Sequence, residues 1–440
     1  MGIDAFPAAL QPIIQQNYLE RAFDEALHSE LGYREVADRE PFSARIGETL
    51  TKTRRGLKAP VTTPLVASTN TNLDNGLTPS TWTVEQYTIT LGLYSDTIDL
   101  NMVTDRVGIV GQFIENAKVN GVQAAQSLDR LARNALFTGY FGGNTRVRVT
   151  LGAANATVSV DDIRGFQFAP IDGVMTAVSS SNTLAVTIGA DIYILQGAAA
   201  DATNVSTAPN GISGILTFTS TVSVADATAG NTVQAANASA IVRPNGRANT
   251  ALLQGTDLLT MSNVLDAVAT LRSNNVPTID GAYNCYVDPV SGRQLFADPD
   301  FKILFQGARD SSDVFRKAMV NDFLGVRFIP TTEAFLQPHP TLSGIRIRRP
   351  IVCGKGALVE GDFEGIAADD IMPADCLIQL IDGVAMVTRE PLDRLQQIIA
   401  QSWYWIGGFT VPTDVTTDST IIPTATNSAY KRAVIIEHIG

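Results

Sequence analysis

The stretch LARNALFTGYFGGNTRVRVT, Leu131–Thr150, joins two unlike kinds of sequence, and its reading decides the fold. Upstream the residues follow a helical period with mixed charges. Downstream the chain turns to Val, Thr, Ala and Ser. From Lys118 there is no further lysine until Lys302, and from Glu115 no further glutamate until Glu333. A change of alphabet this abrupt reads as a boundary between two folding units.

Working upstream, Val107, Val110, Ile114, Ala117, Gly121, Ala125, Leu128, Leu131 and Leu136 recur at helical spacing. They predict a helix from about Asn101 to Phe137, roughly 55 Å long at about 1.5 Å per residue. Gly108, Gly111 and Gly121 each weaken it by about 1 kcal/mol relative to alanine, so it bends there or lets a neighbour approach. Gly139, Gly142 and Gly143 are expected to end it and, with Asn144, to form a hinge.

Working downstream, residues 145–248 carry short alternating runs: VRVTLG, ATVSV, TLAVTIG, DIYILQG and GILTFTSTVSV. Turn signals at Asn155, Asp172-Gly173, Ser181-Asn182 and Asn210-Gly211 separate them. The expectation is an inserted antiparallel barrel or sandwich, large enough to hold its own core. Thr145 should begin it. The chain should leave it near Arg243-Pro244-Asn245-Gly246, with Pro244 and Gly246 as the second hinge.

Further out, residues 1–46 are polar, and YLERAFDEALHSELGY places Leu19, Phe23 and Leu27 at helical spacing, as an arm that docks on something. The segment 47–82 is an open stretch rich in Thr, Asn and Pro with a turn at Asp74-Asn75-Gly76. A loop this long without a core of its own usually has a task. TWTVEQYTITLGLY then alternates Tyr87, Ile89, Leu91 and Leu93 against threonines, as a strand with one buried face. After residue 248, TDLLTMSNVLDAVATLRSNNVP reads as an amphipathic helix with Leu258, Met261, Leu265, Val268 and Leu271 on its apolar face. Strands and helices then mix without βα alternation, so the class is α+β.

Composition bounds the chemistry. A 45% hydrophobic, 17% charged chain of 440 residues is long enough for two or three domains and is neither fibrous nor disordered. The net charge of -12 excludes tight phosphate-driven nucleic-acid binding over the whole surface. Basic residues gather locally at Lys52, Arg54, Arg55 and Lys58, and at Arg346, Arg348 and Arg349; each group reads first as a solvated strand or loop. Cys285, Cys353 and Cys376 lack ligand spacing and suit buried reduced thiols. No secretion signal, myristoylation site or membrane-length apolar run is present. The Asn-x-Ser/Thr matches at Asn155, Asn204 and Asn237 are expected by chance in such sequence.

The search for an enzyme is negative. His28, His339 and His438 fall in expected surface arms or loops, and no nucleophile motif surrounds a Ser or Cys. CGKGALVEG, Cys353–Gly361, fails as a phosphate loop, because Gly356 stands where Ser or Thr must follow the lysine. Asp161-Asp162 and Asp369-Asp370 are sequence neighbours, which point to opposite faces of a strand and make no acid pair. Trp82, Trp403 and Trp405 read as core. No catalytic residue, cofactor or metal is expected.

The order of elements resembles the major capsid proteins of tailed double-stranded-DNA bacteriophages, the Hong-Kong-ninety-seven fold, in a podovirus-like branch. NCYVDPVSGRQLFADPDF, NDFLGVRFIPTTEAF, VCGKGALVEGDF, DRLQQIIAQSWYWIGGFTV and AYKRAVIIEH look like the family's later strands and helix. The resemblance implies an N-terminal arm at 1–46, an extended loop at 47–82 and a peripheral domain with a spine helix at 83–144. It implies further a helix returning to the shell body at 249–277, a mainly axial domain at 278–410, and C-terminal strands closing the peripheral domain at 411–440. The β-domain at 145–248 is an addition to that pattern.

So read, the chain is a structural shell subunit, located in the virion and assembled in the host bacterial cytoplasm. Its partners would be itself in hexamers and pentamers, separate scaffolding and portal proteins, and possible decoration proteins. It would enclose DNA without binding it specifically and touch no membrane. Lys52, Arg54, Arg55, Lys58, Asp74, Asn75 and Gly76 become candidates for inter-subunit contact, through ordinary ion pairs in preference to a lysine–asparagine cross-link. No long scaffold segment is expected before Met1. The rival readings are a tail, decoration or adhesin protein, and an α/β enzyme with an inserted β-domain.

Overall fold

Short strands dominate the computed structural model, which describes residues 32–42, 47–55, 62, 84–101, 112–171, 174–302, 322–323, 325–363, 376–389, 394–395, 397–414 and 429–440. The class is α+β. The chain divides into two units. The first holds Met1–Leu50, Thr88–Ala135 and Leu358–Thr410; the second holds Thr51–Tyr87, Leu136–Ala357 and Val411–Gly440.

In the first unit a six-stranded sheet is centred on the long strand Ile398–Thr410. One side of that strand pairs with Gly92–Asn101 from Ile398↔Asn101 to Gly407↔Gly92. The other side pairs with Val384–Arg389 and, further along, with Leu358–Phe363. Ala37–Phe42 adds in parallel to Leu358–Phe363. The helix Gln112–Phe141 belongs to this unit as far as Ala135. Its Phe113, Ala117, Ala124 and Leu128 bury against Leu100, Met386, Ile399, Trp403 and Trp405. Polar groups fix its register on the sheet: Asn120 donates to the Gln401 carbonyl at 3.1 Å, and Gln401 donates back to that of Phe113 at 3.1 Å. Trp403 and Trp405 lie in the core, as expected, and Trp82 lies outside the described residues.

The second unit contains two cores. One packs the helix Met261–Ser273 against the sheet of Ile241–Val242, Ala433–Ile436, Ile351–Cys353, Tyr283–Val287, Val326–Pro330 and Asp322–Phe323. The other lies inside an antiparallel barrel. Its strands run in the order Asn144–Arg146, Thr232–Ala235, Leu184–Ile188, Asp191–Ala200, Gly214–Val222 and Asn155–Val160. The bridge Val147↔Val160, with Arg148 N donating to Ser159 O at 2.8 Å, joins the last strand to the continuation of the first and closes the ring. Closure leaves no free sheet edge. Inward residues alternate as strand geometry requires: in Leu184–Ile188, Leu184, Val186 and Ile188 are buried while Thr187 is exposed.

Several expectations are corrected. The helix runs on through Gly139 to Phe141, so Gly139 is a helical residue and the hinge begins at Gly142. Its described start is Gln112, since Gly92–Asn101 is a strand and residues 102–111 fall outside the description. Of the alternating set, Ile89 is buried but Leu93 is 67% exposed. Leu258 and Leu265 are exposed, and Val264 and Ala267 take their place on the buried face of Met261–Ser273.

The barrel ends at Ala235, because Ile241–Val242 already pairs with Ala433–Ile436 in the other sheet. Pro244 and Gly246 therefore lie in a 3₁₀ turn beyond that boundary. The late chain is also partitioned differently from the expected 278–410 and 411–440. Leu358–Phe363, Cys376–Ile381, Val384–Arg389 and Ile398–Thr410 belong to the sheet under the long helix, whereas Ala433–Ile436 closes the sheet of Tyr283–Val287 and Ile351–Cys353. The arm helix around Leu19, Phe23 and Leu27 lies outside the described residues, and the arm's described end is the strand Ala37–Phe42.

Candidate interaction surfaces and the barrel boundary

The base of the expected extended loop is a two-stranded ribbon of Thr49–Arg55 and Val84–Thr90. Lys52 is half-buried there. Arg54 does not project freely: its guanidinium meets Asp414 at 3.1 Å, and Asp414 also accepts from Arg432 at 2.7 Å. Arg432 in turn donates to the Lys355 carbonyl at 2.9 Å. Arg54 thus ties the ribbon to the end of the chain within one subunit. The Arg55 side chain, Lys58, Asp74, Asn75 and Gly76 lie outside the described residues.

At the barrel boundary the chain turns in the smallest possible space. Gly143 has φ +78° and donates to Arg164 O at 2.6 Å, while Ala235 N donates back to Gly143 O at 2.8 Å. The points where the chain enters and leaves the barrel are therefore hydrogen-bonded neighbours, with Asn144 paired to Gln234. Gly165, at φ +81°, lies so close that a Cβ there would stand 2.2 Å from Gly143 N and 2.4 Å from Gly142 C. Sequence reading found Gly142 and Gly143 but missed Gly165, whose need arises only from a contact more than 20 positions away.

The charged cluster around Arg348 and Arg349 is not a solvated strand. Arg348 pairs with Asp288, and Arg349, with its side chain 2% exposed, pairs with Glu437 at 2.8 Å. Glu437 also takes Arg243 at 2.6 Å and the Thr250 hydroxyl at 3.0 Å. Burial raises the Glu437 pKa, but Arg243 and Arg349 outweigh it and hold the carboxyl below its usual range. Only Arg346 of the trio is exposed.

Two histidines expected at the surface are buried. His339 Nε2 faces Leu253 O at 2.9 Å, and its Nδ1 accepts from Leu342 N at 3.0 Å. His438 Nε2 meets Ser291 Oγ at 2.7 Å, and Ser291 also bonds Asp288. That trio carries the residue types of a hydrolase, but the wiring differs. Asp288 bonds the serine and caps the helix Pro289–Ala297, while His438 Nδ1 faces the Ile439 carbonyl at 3.0 Å. A carboxylate that does not orient the imidazole, beside a serine with no exposed surface, does not build a nucleophile. Burial pushes His438 down to about 4, so the ring is neutral near pH 7.

Cys285 and Cys353 are buried free thiols with pKa values raised by burial, Cys285 to about 12. Asp161 and Asp162 each serve a separate arginine, Arg146 at 3.4 Å and Arg164 in a tight pair. No group of three or more metal-ligating side chains occurs among the described residues, and no described helix is long and apolar enough to cross a membrane. What the surface does present is scattered apolar area. Leu93 on the first sheet, Val119 on the long helix and Ile192 on the barrel are 67%, 55% and 70% exposed. These are among the described apolar side chains that a neighbouring molecule could cover, with Leu395, at 73%, the most exposed of the large ones.

No protein-family model matches the chain, and no curated protein does. Among solved structures, the chain is similar to a subunit of the capsid of Ralstonia phage GP4, at 10% identity and a TM-score of 0.49, covering 92% of this chain and 87% of that one. It is similar also to the capsid structure of the cyanophage P-SCSP1u, at 10% identity and a TM-score of 0.46 over 91% and 86% of the two chains. The capsid asymmetric unit of cyanophage Pam1 matches at 12% identity and a TM-score of 0.44 over 94% and 92%.

Proposed function

We propose that this chain is the major capsid protein of a tailed double-stranded-DNA bacteriophage, a structural subunit whose copies tile the icosahedral head. The observation that carries the reading is the build of the first unit, where the long helix, as far as Ala135, is laid on a sheet drawn from Ala37–Phe42, Gly92–Asn101, Leu358–Phe363, Cys376–Ile381, Val384–Arg389 and Ile398–Thr410. Beside it in sequence, the ribbon Thr49–Arg55 and Val84–Thr90, most of which belongs to the second unit, flanks sequence with no apolar period of its own. A subunit of this kind gains its neighbours through segments that extend from its core and are buried on assembly.

In this reading the long helix is the spine, the ribbon is the root of the extended loop, and Lys52, Lys58 and the Asp74-Asn75-Gly76 turn reach adjacent copies. Arg54 is already committed within its own subunit. The closed barrel is an added module on that body. Scaffolding, portal and decoration proteins would be separate chains. The acidic net charge of -12 suits a container that must not hold its DNA during packaging.

Electron microscopy of the expressed full chain tests the proposal. Closed shells, or rings of five and six subunits, are expected as concentration rises. Fibres would favour the tail or adhesin reading, and a chain that stays dispersed at every concentration, with or without crowding agents, would overturn the shell reading.

A further inference from the structure

A cavity of about 30 Å³ lies where the barrel meets the rest of the second unit. It is walled from the barrel side by Asn144, Arg146 and Asp161, and from the other side by Arg243, Asn249 and Gln337. Around it the charges do not cancel. Arg146, Arg164, Arg243 and Arg349 bring four positive charges, and their partners Asp161, Asp162 and Glu437 bring three negative ones. The pairs next to them, Arg148–Asp201 and Arg247–Asp257, balance internally and alter nothing. His339, which feels Arg146, has its pKa lowered by burial and adds no charge near pH 7.

The hydrogen-bond inventory is short just behind the cavity wall, at two arginines that hold wall residues without lining the space themselves. Arg164 and Arg349 are 7% and 1% exposed, and each keeps one Nη1 that finds no acceptor in the protein. Arg349 stands behind the cavity wall: it donates to Gln337 and lies over the ring of Phe141, 4.8 Å from its centroid, and both residues line the cavity. Arg164 holds the wall residue Asp162 and the carbonyl of Pro209. Buried guanidinium donors left unpaired are costly, and an arginine cannot relieve the cost by losing its proton. Burial lowers the Arg349 pKa, and after the opposing effect of Glu437, Arg243 and Arg164 lower it further. The missing ingredient is one negative charge that accepts hydrogen bonds.

We infer that this boundary cavity is a binding site for a small monatomic anion of the chloride class, which completes the charge balance between the barrel and the rest of its unit. The size agrees. A water needs about 10–15 Å³ of such space, so about 30 Å³ admits one halide with a water beside it and leaves little room for a tetrahedral oxyanion. The donor set agrees as well, since the guanidinium residues Arg146 and Arg243 line the space directly.

The test uses the full chain in chloride buffer. Protein-dependent broadening of the ³⁵Cl resonance is expected, relieved at least several-fold by competing bromide. Ala251→Asp, at a half-buried wall position, supplies the missing carboxylate from the protein and should abolish the broadening while leaving the circular dichroism unchanged. Crystals of the unmodified chain grown in bromide should show an anomalous peak within hydrogen-bond reach of Arg146 or Arg243. Broadening that survives Ala251→Asp, or a site holding only water in the bromide crystals, would overturn the inference. The crystals decide alone if the variant does not fold. Shell formation plays no part in either measurement, so this inference and the proposed function fail separately.

Discussion

Replacing Gly165 by alanine probes the contact on which the barrel boundary is built. Two costs add. At φ +81° an L-residue meets its own following carbonyl, worth about 1–2 kcal/mol. The new methyl would also sit 2.2 Å from Gly143 N, and that neighbour is backbone, which cannot swing aside as a side chain would. The 2.6 Å bond from Gly143 N to Arg164 O must lengthen or break, which strands a buried donor at roughly 1–3 kcal/mol. Together the change should cost about 2–5 kcal/mol locally.

Gly246 is the matched control. It too has a left-handed φ, of +64°, but nothing lies within 4 Å of where its Cβ would be, so Gly246→Ala should cost only about 1 kcal/mol. Hydrogen exchange at the Gly143 amide reads the difference, since local opening sets its rate. Gly165→Ala should speed that exchange by about twentyfold or more, at roughly 1.4 kcal/mol per factor of ten, and Gly246→Ala should leave it nearly unchanged. Exchange in Gly165→Ala within about threefold of the parent would refute the argument that the backbones there are locked together.

Other outcomes follow from the same packing and charges. Leu271→Ala should destabilise the chain by about 2–5 kcal/mol in urea unfolding because Leu271 is fully buried, whereas Leu265→Ala, 39% exposed, should cost well under half as much. Glu437→Gln leaves Arg349 and Arg243 without their shared carboxylate and should cost roughly 3–5 kcal/mol, read as a fall in thermal midpoint. His438 binds its proton less tightly when folded, with a pKa of about 4 against an ordinary 6.5. Between these values the unfolded chain holds more protons, so this stability is complete above about pH 6.5 and is lost as pH falls toward 4, by up to about 1 kcal/mol per pH unit. His438→Asn should flatten that part of the stability–pH curve, and a curve of unchanged slope would show that the ring does not titrate there.

How much of this was legible in the sequence depended on whether the deciding contact was local. Alternation in TLAVTIG and DIYILQG marked barrel strands because period 2 is written along a single strand. The hairpin Phe168–Ile171 with Val174–Ala177 and the strand Thr232–Ala235 escaped, being too short to show a period. Leu258 and Leu265 looked like core from their spacing, yet the face of Met261–Ser273 that meets the sheet is set by Val264, Ala267 and Val268, all smaller side chains that allow close approach. The arginines looked like surface for the mirror-image reason. Arg349 is buried only because Glu437, 88 positions later, returns beside it. Gly165 and the charge cavity belong to this second kind, where tertiary approach confers meaning on residues that are locally unremarked.

The boundary also explains how the chain accommodates so large a module between the long helix and the strands that follow. Asn144 and Gln234 are partners in one ladder, and Gly143 exchanges hydrogen bonds with both Arg164 and Ala235. The barrel thus begins and ends at nearly one point, and the chain re-enters the rest of its unit close to where it left. Loop-closure entropy rises only slowly with the length between two fixed ends, and a segment that folds on itself returns that cost through its own core. The alphabet change at Leu131–Thr150 fits this geometry. A closed barrel hides every edge, so it does not need lysine and glutamate along an edge to discourage strand addition. The charges it retains near the boundary are Asp and Arg, short carboxylates and planar guanidiniums suited to paired contacts in a confined space. Loss of Lys and Glu is, on this account, what a closed module anchored through a buried arginine–aspartate boundary permits.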